Sequence, residues 1–182
     1  MGIDNAIALL KGELLPAAPN KVALDVPFVS QRGSDADISN NDCGAASLLM
    51  MTRFAMKSRG FLVPDVPTVD DVIPYTPLGA NPAGLLNFTD LTALAKRLGF
   101  TAVYKSGLTP DALRRQLDTN TPVMVLLDYS VYYLAGAKIP HLLVVSGYEG
   151  DEFITQDPYL LGANKRVSAA TLEAAMTTVP LN

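Results

Sequence analysis

The chain has 182 residues, 49% of them apolar and 18% charged, with a formal net charge of −4. That length and balance suit one globular domain with a real core, or two lobes sharing a cleft, and are not those of a disordered chain. A mildly acidic chain without a basic cluster is not built to bind nucleic acid, and one cysteine with one histidine excludes an internal disulfide, a multi-thiolate metal site and a His-rich zinc centre.

Residues 1–20 carry a short apolar patch (Ile7, Leu9, Leu10, Leu14, Leu15) before Pro16-Ala17-Ala18-Pro19. This predicts a weak helix and a linker, an arm that packs on the domain or blocks its cleft. The domain itself is expected over 21–182. The start lacks the basic-then-apolar form of a secretory signal, and no run reaches the ~18 apolar residues of a bilayer span, so the expected setting is cytoplasmic. Val22 to Val29 alternates as a strand, with Pro27 marking an edge or an end. Ser30 to Asp42 is a polar loop, and Gly44 to about Met56 is a helix apolar nearly all round, hence an interior one. Phe61 to Asn87, with five prolines, reads as irregular chain.

Thr89 or Asp90 caps a helix with Leu91, Leu94, Ala95 and Leu98 inward, stopped by Gly99. Phe100 to Tyr104 is predicted as a strand. Thr109-Pro110 opens another helix, with Leu113 and Leu117 inward. Pro122 to Leu127 is a buried strand, and Tyr129 to Pro140 a loop rich in tyrosine. His141 to Tyr148 and Glu152 to Gln156 form a hairpin about Gly150, and Ser168 caps a short last helix.

The chemistry gathers where polar turns meet apolar elements. With Asn41 or Asp42 as cap, Cys43 falls in a helix first turn, where unsatisfied N–H groups and the positive dipole end favour a thiolate. Gly44 leaves room for a substrate carbonyl; an ionised Asp42 would work against the thiolate. His141 opens an apolar strand and Asp157 lies in Gln156-Asp157-Pro158. In chain order Gln31, Cys43, His141 and Asp157 are an oxyanion donor, a nucleophile, a base and the group that orients the base. Side chains alternate along strands, so His141 and Asp157 share a face only if the hairpin loop is odd in length or a bulge intervenes. A three-residue loop Glu149-Gly150-Asp151 would do it; a two-residue loop would point them apart. Asp128, ending the neighbouring strand, is the next acid. The tyrosine-rich segment before His141 either lines the substrate cleft, with Gly136 as a hinge, or covers the core.

Val26-Pro27-Phe28-Val29-Ser30-Gln31, then Asp42-Cys43-Gly44-Ala45-Ala46-Ser47-Leu48-Leu49-Met50, then His141-Leu142-Leu143-Val144-Val145-Ser146-Gly147-Tyr148, then Asp157-Pro158 resemble the peptidase C39-like family of papain-like cysteine peptidases. The resemblance implies an α+β papain-like fold, the thiol on the N-terminus of a central helix and the His and Asp on a facing antiparallel sheet. It implies Cys43 as nucleophile, His141 as general base, Asp157 as orienter and Gln31 as oxyanion donor, with a peptide or protein substrate and no cofactor or metal. Two features depart from the pattern. The Gln31–Cys43 spacing is long, and members that cut double-glycine leaders are fused to transporters whereas this chain has no membrane segment. The expected activity is hydrolysis of a peptide or related amide bond. The rivals are a papain-fold acyl or amide transferase and a catalytically silent peptide-binding module.

Overall fold

The computed structural model describes residues 20–32, 42–60, 88–97, 99–134, 136–160 and 162–179. The N-terminal arm, Asn41 as a possible cap, and the proline-rich stretch from Phe61 to Asn87 lie outside the described residues. Element order is β1 (Lys21–Ala23), α1 (Cys43–Ser58), α2 (Phe88–Arg97), α3 (Pro110–Asp118), β2 (Val123–Asp128), α4 (Tyr129–Tyr133), β3 (Pro140–Glu149), β4 (Glu152–Gln156), β5 (Lys165–Ser168) and α5 (Ala169–Thr177). The class is α+β.

All strand pairs are antiparallel, and β3 is the spine of the sheet. Its first half pairs with β2 and its last residues with β1, while its other edge pairs with β4, which carries β5. Both faces of β3 are covered, which is why its sequence is a continuous apolar run rather than an alternating one. Leu142 and Val144 join α1 and α2 in one core. Leu143 and Val145 join Leu113, Leu117, Tyr132 and Leu172 from α3, α4 and α5 in the other.

Local signals placed most of the helices. Thr109 Oγ1 accepts from Ala112 N at 3.3 Å, with Pro110 at the first helical position. Ser168 Oγ accepts from Thr171 N at 3.1 Å and starts α5. Gly99, at φ 82°, follows the end of α2.

Three expectations are corrected. Residues 100–104 form no strand: Phe100 and Ala102 pack on the core of α1, α2 and β3 without pairing to the sheet, and Val103 is 74% exposed. A strand needs a partner edge as well as a β-prone composition. The strand predicted from Val22 to Val29 stops at Ala23, because Val26 N bonds back to Leu24 O at 2.8 Å and bends the chain. The tyrosine-rich loop begins as a short helix, α4, capped by Asp128 Oδ1, which accepts from Ser130 N at 2.9 Å. β5 carries two exposed residues in four and gave no strand signal in the sequence.

Candidate active site

The hairpin that carries His141 and Asp157 closes on the two-residue turn Gly150-Asp151, since Glu149 pairs with Glu152. The three-residue loop is therefore wrong, and a two-residue turn alone would set the two side chains on opposite faces. A β-bulge corrects the parity. Val145 pairs with Thr155 but Gly147 pairs with Ile154, so Ser146 is the extra residue. Its carbonyl accepts from Leu24 N at 2.8 Å, and its hydroxyl accepts from Gln156 Nε2 at 3.0 Å. Gly147 beside it allows β1 to approach; a Cβ there would lie 2.3 Å from Val22 O. The shifted register extends to place Asp157 opposite Leu143, on the face of His141.

The two side chains meet there. His141 Nε2 lies 2.8 Å from Asp157 Oδ1, both residues buried. The same oxygen accepts from Tyr159 N at 2.9 Å, closing a turn over Pro158. Asp157 Oδ2 accepts from the Tyr133 hydroxyl at 2.5 Å. Asp128, the alternative acid, is engaged as the cap of α4.

Cys43 arrives from the other layer. It is the first residue of α1 and is 4% exposed. One turn further along, Ser47 Oγ donates to Leu142 O at 3.2 Å, which fixes the start of α1 beside the start of β3. Hydrogen bonding and charge from Cys43 act on the His141 ring and help raise its pKa. With Nε2 taken by Asp157, Nδ1 is the ring nitrogen left for the thiol. Asp42 holds the N-cap position, yet its side chain makes no capping bond, because φ −85° and ψ 10° are not the extended backbone that aims a cap at the next turn. The first intrahelical acceptor bond runs from Ala46 N to Asp42 O, so the N–H groups of Cys43, Gly44 and Ala45 form the open end of the helix. Gln31 is buried, and its N–H donates to Pro158 O at 2.9 Å, which pins its segment against the Asp157 turn.

The chain matches the peptidase C39-like family over residues 23–177. It belongs to that family. The fold is also that of the crystal structure of a candidate C39-like peptidase from Bacillus anthracis, with a TM-score of 0.64 and 20% sequence identity over 87% of this chain and 93% of that one. Curated proteins yield no match. The α+β arrangement of this C39-like chain is papain-like, with α1 packed on an antiparallel sheet.

Burial pulls the His141 pKa down, but hydrogen bonds and charge from Asp157 and Cys43 outweigh it and push it up to about 9. For Asp157, burial acts upward and is outweighed by His141, Tyr133 and the Tyr159 N–H, so its carboxyl stays below the usual range. Tyr133 is driven far up, by burial first and by Asp157 next, which favours its protonated, donating form. Around this pair stand Tyr129 and Tyr159, edge-on to the imidazole at 5.8 and 6.4 Å, with the Arg32 guanidinium 4.0 Å above the Tyr159 ring.

Of the two roles expected for the tyrosine segment, Tyr132 takes the covering one and Tyr133 takes neither. Tyr132 covers the core and shares a 2.7 Å hydrogen bond with Thr155 Oγ1. Tyr133 packs beside that core and bonds Asp157 through its hydroxyl. Nothing in the sequence marks that contact, because it depends on which way a short helix turns against a strand far along the chain. The Tyr159 N–H contact did have a signal, the Asp-Pro-X turn sequence.

Among the described residues, no helix is long and apolar enough to cross a membrane.

Proposed function

We propose that this C39-like protein is a cysteine-type hydrolase of a peptide or related amide bond. The supporting observation is one imidazole that a buried carboxylate bonds at Nε2 and whose pKa is raised also by the thiol that begins α1. His141 takes the Cys43 proton, and the thiolate attacks the substrate carbonyl. The oxyanion forms at the first-turn N–H groups of α1, with the Gln31 amide as a further donor. His141 then returns the proton to the leaving amine, and water resolves the thioester. Asp157 holds the ring in the tautomer and orientation this requires.

The test is labelling by a peptide-like electrophile across pH, read at Cys43 by mass spectrometry. Labelling faster than that of a free thiol in the intact protein, and slowed to the free-thiol rate by His141→Ala, is expected. Labelling indifferent to His141 would refute the reading. Supplying an amine acceptor during peptide turnover separates the alternatives: free acid as product means hydrolysis, and amide product means transfer.

A further inference from the structure

Asp157 is a fully buried carboxylate, and a buried charge must be fixed and balanced or it rotates, protonates or unfolds its surroundings. His141 and Tyr159 N both bond Oδ1, which leaves Oδ2 to set the torsion of the carboxylate. The Tyr133 hydroxyl is the donor there. Over the Tyr133 ring stands Lys165, its Nζ 3.7 Å from that ring centroid and 3.8 Å from that of Tyr132. Register explains the meeting, since Lys165 pairs with Thr155 and so shares the face of Asp157. A cation over an aromatic face draws electron density from the ring, which makes the attached hydroxyl a stronger donor.

We infer that Tyr133, backed by Lys165 over its ring, is a positioning residue that locks the Asp157 carboxylate and through it the His141 tautomer. The lock rests on the hydrolase reading only for its effect on turnover, because its effect on the ring is measurable without substrate. The groups facing His141 are Cys43 from α1, Asp157, Tyr129 of α4, and Tyr159 with Arg32 above it; those facing Asp157 are His141, Tyr133, Tyr132, Tyr129, the Tyr159 N–H and Lys165. With the hydroxyl gone, the carboxylate turns about its remaining bonds and its charge leaves Nε2.

Because His141 is the only histidine, its two ring nitrogens can be read without assignment in a ¹⁵N-histidine-labelled protein. In a Cys43→Ala background, which removes the thiol's own titration, the neutral ring is expected as a single Nε2–H tautomer. Adding Tyr133→Phe is expected to mix the tautomers and lower the titration midpoint; Lys165→Met does the same to a smaller degree, and Lys165→Arg restores the parent spectrum. In the thiol-intact protein, Tyr133→Phe lowers kcat about tenfold with KM unchanged. An unchanged ring in Tyr133→Phe overturns the lock, and an unchanged ring in Lys165→Met strikes the lysine from it. A raised midpoint also overturns it, since the hydroxyl would then only drain charge from a carboxylate fixed by other means. If the thiol-intact protein turns over no peptide, the hydrolase reading fails, and the ring spectra still decide the lock.

Discussion

Cys43 and the His141–Asp157 pair reach one point from opposite sides of the sheet, and the two sides hold their residues by different means. On the α1 side the anchoring is apolar: Ala45, Ala46, Leu48, Leu49 and Met50 are buried, and the one described polar tie to β3 is Ser47 to Leu142. On the hairpin side it is polar, with Tyr133, Tyr159 N and His141 converging on Asp157, and Gln156 bonding both Ser146 and Asn164. The chemistry of the residues explains the contrast. A thiol is a small hydrophobe that packing alone can place, whereas a buried carboxylate and imidazole need their hydrogen bonds satisfied.

The largest effect should come from single truncations on each side. Cys43→Ala and His141→Ala both remove turnover, by at least about a thousandfold on general precedent for nucleophile and base. Their stabilities should part company. Cys43→Ala costs under about 1 kcal/mol, while His141→Ala leaves Asp157 buried without its partner and costs about 3–5 kcal/mol, both measured by urea unfolding. Equal costs would erase the contrast between the two sides. Asp157→Asn keeps an acceptor for the ring and should slow turnover less than either.

Next comes pH. The His141 pKa is about 9 in the folded protein against 6.5 as the ordinary value, so the folded state holds that proton more tightly. The resulting stabilisation is fully present below about pH 6.5 and is lost as pH rises through 9. It amounts to about 3 kcal/mol (9 minus 6.5, at about 1.36 kcal/mol per unit). The Cys43→Ala protein lacks the part of this rise that Cys43 supplies, so its denaturation midpoints should fall over a narrower window above about pH 6.5, and adding His141→Gln should flatten the slope. A slope that survives the second substitution would assign the effect elsewhere.

Gly147→Ala tests the bulge. Its methyl meets backbone, Val22 O, which cannot swing aside as a side chain could, so β1 must shift at a cost of about 1–3 kcal/mol. Turnover should fall with stability, because the same bulge sets the parity of His141 and Asp157; full turnover at reduced stability would show the parity to be held without β1. The smallest effect is Tyr132→Phe. It removes the bond to Thr155 on the core side and should cost about 1 kcal/mol in thermal unfolding. Turnover should be unchanged, in contrast to the same substitution at the next residue.

Legible in the sequence were a helix from about Gly44 with Cys43 in its first turn, the capped helices α3 and α5, the strand run of β3, and the four blocks that carry the family resemblance. These are local: a cap, a proline or an apolar run acts within a turn or two of itself. Only the tertiary structure decided that Ser146 is a bulge, that residues 100–104 find no sheet edge, that Asp42 leaves the helix end open, and that Tyr133 rather than Tyr132 reaches Asp157. The bulge depends on where β1 lies and the tyrosine contact on where β4 lies, while the missing Asp42 cap follows from a backbone conformation that no residue type announces. Strand parity turns over with a single inserted residue, so a pattern read along one strand cannot say which face two residues on paired strands will share.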